Sequence, residues 1–185
     1  MTDFELITKY QTGDNSAFEI LLDRHKNDLF TFLLRLTGDK DRAEDLFQET
    51  FLRILKALPK YKDQGIFRHW LFRIANNVAR DAGRRDTARL KRIITDDESV
   101  QTATSKQIGP DEAAEKNDIF EQVEKALLNL PNKQREVFLL RVHTGMRFRE
   151  IAEHLKEPLS SVISQMRYAT DKLKPILKPI IQDEP

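Results

Sequence analysis

Apolar side chains recur every three or four residues along most of this chain, and this spacing constrains the fold more than any other feature of the sequence. Such a period places the apolar residues along one side of an α-helix, whereas a strand needs strict alternation. Charged residues make up 33% of the chain and glycine occurs only 6 times, which suits helices with one solvated face. We therefore expect an all-α protein.

The first half of the sequence predicts three amphipathic helices. They span residues 16–36, 41–58 and from 67 to beyond 84. Ser16 and Glu19 have the spacing of a capping box at the start of the first helix. Pro59 should end the second helix, because proline cannot continue one. Three helices of this length can form one compact bundle, which we assign to residues 1–86.

The second half predicts a separate helical domain. Periodicity is lost between Thr87 and Asp111, and the polar, partly acidic stretch 87–110 is interpreted as an interdomain linker. The second domain then covers 111–175. Its four helices are expected at residues 111–130, 132–143, 148–155 and 159–173. The apolar, proline-interrupted tail 176–185 could pack on this domain or offer a surface to a regulator.

Residues 148–173 have the pattern of a helix-turn-helix. Lys156-Glu157-Pro158 interrupts two apolar helical stripes, and helices joined so closely must cross at a large angle, which the small Ala152 permits. The second helix has short polar groups and long donors on its outer side, which can reach phosphates and base edges. A solvated hairpin would show the same polar face, so spacing alone leaves DNA binding open. Many such turns have glycine where Lys156 stands, so Lys156 must accept an unfavourable backbone or the turn must differ.

A basic stripe lies along the helix that begins near residue 67. It consists of Trp70, Arg73, Asn77, Arg80 and Arg84, and Arg68, Asn76, Arg85, Arg89, Lys91 and Arg92 widen it. An aromatic ring among cations can stack on unpaired bases while the cations follow the backbone, as in proteins that bind melted DNA. Alternatively, Trp70 belongs to the core and the arginines to a solvated face.

An acidic face lies on the preceding helix. It consists of Asp41, Asp45, Gln48, Glu49 and Leu52. Paired carboxylates four residues apart could suggest a metal or an acid-base pair. The four histidines, His25, His69, His143 and His154, show no metal-ligand spacing, and the chain has no phosphate loop or nucleophile motif. We therefore expect a protein-docking surface, with a solvated face as the alternative, and no enzyme activity, cofactor or metal.

Cysteine usage and hydropathy bound the location of the protein. The chain has no cysteine, so it cannot form disulfides. Its apolar runs are short and interrupted by charges, and its start lacks a basic segment followed by an apolar core. We expect a cytoplasmic protein without membrane insertion. The net charge of +1 gives no argument for nucleic-acid binding, which must rest on local clusters.

Four segments taken together resemble one known family. They are residues 43–51, 67–77, 130–141, and 150–152 followed by 161–164. In this order and spacing they closely resemble the extracytoplasmic-function (ECF) sigma factors of bacteria. The resemblance covers nearly the whole chain outside the linker and tail. It implies that the first domain corresponds to sigma region 2 and the second to region 4.

The resemblance also implies a role for each surface. The acidic face would dock on the clamp helices of the largest RNA polymerase subunit, through Asp41, Asp45, Gln48, Glu49 and Leu52. The loop 61–65 and the helix after it would open the minus-ten promoter DNA and hold an extruded base, with contacts at Tyr61, Lys62, Phe67, Arg68, Trp70, Arg73, Asn76, Asn77, Arg80 and Arg84. The minus-thirty-five duplex would be read by Arg147, Ser160, Ser161, Ser164, Gln165 and Arg167.

The function implied is that of a sigma factor, which binds core RNA polymerase and directs promoter recognition and opening. Family analogy adds an anti-sigma factor as a partner, and a linker that passes through polymerase toward the RNA exit path. Two departures from the family are Gln165 and Tyr168, which stand where arginine is frequent and weaken the phosphate grip. The alternative is a conventional helix-turn-helix repressor or activator. A third possibility, an adaptor or degenerate nuclease using Asp45 and Glu49, is remote.

Overall fold

The computed structural model describes the backbone of residues 1–96 and 116–182, and the side chains of residues 1–92 and 121–176. Within these ranges the chain forms eight α-helices and one short 3-10 helix, and no strand. It divides into two compact units, residues 1–107 and 108–185, which are described separately. The predicted all-α, two-domain architecture is confirmed.

The first unit contains one helix that the sequence did not predict. Its helices are α1 (Asp3–Gln11), α2 (Asn15–Thr37), α3 (Lys40–Ala57), the 3-10 helix Leu58–Lys60, and α4 (Phe67–Asp96). A capping box starts α1, because the Thr2 N–H donates to Glu5 Oε2 (2.7 Å) and the Glu5 N–H donates to Thr2 Oγ1 (3.3 Å). This helix buries only Leu6 and Ile7, so it shows too few apolar positions for a periodic signal.

Helix α2 begins earlier than predicted. Asp14, not Ser16, is its N-cap, and the proposed capping box of Ser16 with Glu19 is wrong. The Asp14 carboxylate accepts hydrogen bonds from the Ser16 hydroxyl (2.6 Å) and the Ser16 N–H (3.1 Å). The hydroxyl bond is the main cause that lowers the pKa of Asp14. Aspartate before the first helical residue satisfies an otherwise unpaired N–H of the first turn.

The core of the first unit lies between α2, α3 and α4. Phe32 and Phe72 are fully buried and form an edge-to-face contact, with ring centroids 5.2 Å apart and an interplanar angle of 80°. The other fully buried large side chains are Leu6, Ile7, Leu21, Leu29, Leu33, Ile54 and Leu58. Other apolar residues of α2, α3 and α4 are only half-buried, among them Leu22, Leu36, Phe47, Phe51, Ile74 and Ala82.

Helix α4 continues ten residues beyond the predicted start of the linker and ends at Asp96. The sequence lost periodicity at Thr87 because the side chains of residues 87–92 are exposed, including Leu90 at 53%. An exposed stretch of helix needs no apolar stripe. The remainder of the predicted linker, 97–110, lies outside the described residues.

The second unit contains the four predicted helices. They are α5 (Lys116–Leu128), α6 (Asn132–Thr144), α7 (Phe148–Leu155) and α8 (Leu159–Gln182). Helix α8 runs past the expected end at residue 173, so the tail set apart from 176 begins inside a helix. Pro175 is exposed. The backbone hydrogen bond that it removes therefore lies on the solvent side, where water can replace it.

One apolar cluster of the second unit lies where α8 packs against α5 and the residues that follow α5. The cluster consists of Leu127, Leu130, Ala169 and Leu173, with Val123, Ala126 and Phe138 packed against it. Arg135 is also buried, and its guanidinium donates to the Leu128 carbonyl (3.0 Å) and to Asn132 Oδ1 (2.8 Å). Burial lowers the pKa of Arg135. The buried cation thus satisfies a carbonyl at the end of α5.

The turn between α7 and α8 follows the first of the two alternatives that the sequence left open, an unfavourable backbone at Lys156. Lys156 adopts left-handed angles (φ 56°, ψ 43°), and it is the one non-glycine residue with positive φ among those described. The Glu157 N–H donates to the Ala152 carbonyl at 3.0 Å and closes the turn. Lys133 Nζ, from α6, binds Glu157 Oε1 at 2.7 Å. The turn is therefore held from two sides despite the unfavourable residue.

We predict that Lys156→Gly stabilises the second unit by about 1 kcal/mol, because glycine adopts the left-handed region without a Cβ clash. Hydrogen exchange of the α7 and α8 amides in the full chain measures the effect. Lys156→Ala is the matched control and should give no such gain, since alanine keeps the Cβ. Equal protection in the glycine and alanine variants would contradict the strain.

Candidate polymerase and promoter interfaces

Four residues of the acidic face lie exposed on one side of α3. Asp41, Asp45 and Gln48 are exposed, and Leu52 is 54% exposed among them. Their spacing of four, three and four residues keeps them within one stripe of the helix surface. An exposed leucine surrounded by acidic and amide groups contributes little to folding. The four exposed residues together have the composition of a protein-binding site, with an apolar anchor and a polar rim.

Glu49 differs from the other members of the acidic face, because it is engaged inside the protein. It is half-buried, and its carboxylate binds Arg53 (2.6 Å) and Arg85 (2.9 Å). Arg53 also binds Asp81 (3.0 Å), which in turn binds Arg84 (2.5 Å). We call these five residues the α3–α4 ion network. The sequence did not predict it, since Glu49 and Arg85 lie 36 residues apart.

The ion network shifts the pKa of both its carboxylates. Partial burial acts to raise the pKa of Glu49, but hydrogen bonds from Arg85 and Arg53 outweigh it, so the pKa is lowered. The hydrogen bond from Arg53 lowers the pKa of Asp81. The same bond raises the pKa of Arg53. Both carboxylates are therefore charged throughout the neutral range.

The loop before α4 rests on an aromatic cluster. The rings of Tyr61 and Trp70 have centroids 4.4 Å apart, and Phe67 lies 5.7 Å from Tyr61 and 5.5 Å from Trp70. The Tyr61 hydroxyl donates to Asp63 Oδ1 (3.1 Å), which also accepts the N–H of Gly65 (3.0 Å). Burial, with this hydrogen bond, raises the pKa of Tyr61 to about 12. Trp70 therefore supports the loop from beneath.

The residues of the basic stripe differ in exposure. Lys62, Asn77 and Arg84 are exposed, and Arg73 and Arg80 are half-buried. Asn76 is fully buried and Phe67 is 5% exposed. These two side chains cannot reach DNA in this structure, which corrects their inclusion among the contacts. Asn76 was assigned to the polar surface because it lies beside Asn77, but its side chain points into the helical bundle.

Arg68 also forms contacts within the protein. Its guanidinium binds Asp28 of α2 at 2.8 Å and lies 5.1 Å above the Phe72 ring centroid. It remains about 38% exposed. This arginine therefore joins α2 to α4 at the surface, and any contact with DNA would compete with its bond to Asp28.

The helix-turn-helix presents three of its predicted side chains to solvent on α8. Ser160, Ser164 and Arg167 are exposed, and Arg167 holds Asp171 only at 3.8 Å. Arg147, at the start of α7, is also exposed. Gln165 and Ser161 are half-buried, and the Ser161 hydroxyl donates to Glu157 Oε2 at 3.2 Å.

Two segments of the chain match family descriptions. Residues 21–89 match Sigma-70 region 2, and residues 120–173 match Sigma-70, region 4. The ECF RNA polymerase sigma factor SigX of Bacillus subtilis is 32% identical over 147 residues, which cover 79% of this chain and 76% of SigX. The chain belongs to the ECF sigma factors. The family inferred from the four motif segments is thereby confirmed.

Two further relatives agree with this assignment. The RNA polymerase sigma-H factor of Pseudomonas aeruginosa is 26% identical over 190 residues, covering 98% of this chain and 96% of the relative. The sigma factor RpoE of Bartonella quintana, solved in complex with the anti-sigma factor NepR, shares the fold with a TM-score of 0.66 and 24% identity, over 87% of this chain and 96% of that one.

The protein is therefore a sigma factor that acts in transcription initiation, and its family is not known to be enzymatic. Among the helices that the structure describes, none is long and apolar enough to span a membrane. The described residues also bring together no cluster of His, Asp and Glu that could hold a metal ion.

We predict that Glu49→Gln destabilises the region 2 unit by about 1 kcal/mol at neutral pH, because it removes the charge that Arg53 and Arg85 share. A carboxylate with a lowered pKa contributes stability above its unfolded value, near 4.5, and this contribution is lost as pH falls through the folded value. The difference between the variant and the natural protein should therefore shrink in acid.

Urea denaturation at a series of pH values, followed by Trp70 fluorescence, measures this difference. Glu44→Gln is the matched control, since Glu44 is exposed on the same helix and reaches only Lys40 at 4.0 Å. It should change stability little at any pH. A loss in Glu49→Gln that stays constant with pH would show that the charge of Glu49 is not the cause.

Proposed function

We propose that the exposed part of the acidic face, Asp41, Asp45, Gln48 and Leu52, binds core RNA polymerase. The observation that carries the proposal is that Leu52 is exposed within a row of acidic and amide side chains, so that it contributes little to folding. Burying such a leucine in a partner gains apolar contact at little cost in dehydration. Glu49 contributes through the α3–α4 ion network rather than as a free contact.

We predict that Leu52→Ala and Gln48→Ala each weaken the affinity for core polymerase about tenfold or more, as expected for residues at the centre of an interface. Fluorescence anisotropy of labelled sigma titrated with core enzyme measures this. Glu19→Ala, which removes an exposed acid on α2, is the control and should bind normally. Normal affinity in both α3 variants would remove the acidic face from the interface.

We propose that the loop 61–65 and the exposed side of α4 hold the separated minus-ten strand. Lys62, Asn77 and Arg84 are exposed, and Arg73 and Arg80 are half-buried beside them, so cations and amide donors line a continuous path from the loop along the helix. Trapping extruded bases and strand phosphates would supply the free energy for melting, without nucleotide hydrolysis.

We predict that Asn77→Ala and Arg80→Ala slow promoter opening about tenfold while leaving core binding unchanged, because their contacts form only with the opened strand. Permanganate reactivity of unpaired thymines in the holoenzyme complex measures opening. Asn27→Ala, at an exposed asparagine of α2, is the control. Parallel losses of core binding and opening in both α4 variants would indicate misfolding and contradict the assignment.

We propose that α8 reads the minus-thirty-five element as duplex DNA. Exposed Ser160, Ser164 and Arg167 stand one helical turn apart on α8, and exposed Arg147 lies at the start of α7. The Ser164 hydroxyl donates to the Ser160 carbonyl at 2.9 Å, a bond that it can exchange for a base edge or phosphate. The guanidinium group of Arg167 is exposed and can donate a pair of parallel hydrogen bonds to a phosphate or a guanine.

We also infer an anti-sigma partner, a cytoplasmic location and the absence of catalytic chemistry. The first rests on the Bartonella relative, which was solved with an anti-sigma factor. The other two follow from a function carried out together with core polymerase. A conventional helix-turn-helix repressor would instead bind a palindromic duplex tightly on its own, and the region 2 match over 21–89 favours the sigma factor.

A further inference from the structure

The side chain of Gln11 links helix α1 by hydrogen bonds to the 3-10 helix and to the start of the loop 61–65. Gln11, the last residue of α1, donates from Nε2 to the Leu58 carbonyl (2.9 Å) and to the Tyr61 carbonyl (2.7 Å). These bonds span 47 and 50 residues of sequence. A primary amide has two N–H groups, and here each is directed at a different carbonyl.

The two carbonyls bracket the point where the chain leaves the 3-10 helix. The Tyr61 N–H donates to the Leu58 carbonyl (3.1 Å), and Tyr61 itself is extended (φ −66°, ψ 131°). The amide of Gln11 therefore fixes the direction in which the backbone enters the loop 61–65. The aromatic contact of Tyr61 with Trp70 and its bond to Asp63 depend on that direction.

Helix α1, which carries Gln11, is itself attached to α2. At the start of α1, Asp3 binds Arg24 (2.6 Å) and His25 (2.8 Å) of α2. Leu6 and Ile7 are buried beneath the helix. Removing the amide of Gln11 leaves all of these contacts in place, so α1 should stay docked while the loop loses its attachment.

We propose that Gln11 is a positioning residue for promoter opening, which holds the start of the loop 61–65 in the geometry that receives the opened strand. The proposal rests on the assignment of this loop to minus-ten DNA. Its physical basis is entropy: a loop that is ordered before DNA arrives does not spend binding free energy on ordering itself. Sequence analysis could not have found this role, because Gln11 lies outside every motif.

Two variants remove the donors in different ways, and one control matches the charge change. Gln11→Met keeps the length of the side chain without a donor, and Gln11→Glu replaces the NH2 group with a carboxylate oxygen that the two carbonyls repel. Asn27→Asp adds the same negative charge at an exposed position of α2. Hydrogen exchange of residues 61–66 in the full chain, and permanganate reactivity of the holoenzyme–promoter complex, are the two measurements.

Both Gln11 variants should quicken exchange in residues 61–66 and slow promoter opening about tenfold, the effect expected for the loss of one partly buried and one exposed hydrogen bond. Core binding and the thermal midpoint should remain as in the natural protein, and Asn27→Asp should behave normally throughout. This pattern would separate positioning of the loop from stability of the unit.

Three results would overturn the proposal. Unchanged exchange in residues 61–66 would show that Gln11 does not hold the loop. Normal opening in the Gln11 variants, together with slow opening in Asn77→Ala, would leave the minus-ten assignment intact and remove the role of Gln11. A joint loss of core binding, thermal stability and opening would make Gln11 a residue of the fold alone. Normal opening in Asn77→Ala and Arg80→Ala with slow opening in the Gln11 variants would instead sustain the Gln11 role and remove those two contacts.

Discussion

The burial of Phe32 against Phe72 sets the rotation of α2 and α4 about their axes, and through it the faces that the region 2 unit presents. Both rings are fully buried and perpendicular, and a close-packed core admits few other arrangements. Once Phe72, Ala75 and Val78 face inward, Asn77 and Arg84 must face solvent, because helix positions are fixed relative to one another. The exposed side of α4, which we propose to contact DNA, is in this sense the complement of its core.

The α3–α4 ion network joins the helix that carries the acidic face to the helix that carries the basic stripe. Glu49 is on the helix that carries the exposed acidic residues, and its partner Arg85 is on the helix that carries the basic stripe. Glu49 is paired inside the protein and neutralises Arg85. Asp41, Asp45 and Gln48 remain exposed on the same helix.

Sequence reasoning succeeded where a local pattern decides the structure. The bounds of α7 and the start of α8 were predicted to the residue, because Pro158 and two offset apolar stripes mark them. For Lys156 the sequence left two alternatives open, and the left-handed backbone is one of them. Sequence reasoning failed where the deciding partner is distant. Glu49 was assigned outward since Arg85 is 36 residues away, and α1 was missed because it buries only Leu6 and Ile7.

The aromatic cluster limits how an opened strand can be held in this conformation. One face of Trp70 is covered by Tyr61 at 4.4 Å, and Phe67 crowds both rings. A base stacked on that face of Trp70 would have to displace Tyr61, and with it the bond to Asp63 that shapes the loop. Holding the base by hydrogen bonds from the exposed amide and cations keeps the cluster intact. Recognition through donors on α4, with the rings as support, is therefore the arrangement that costs the loop least.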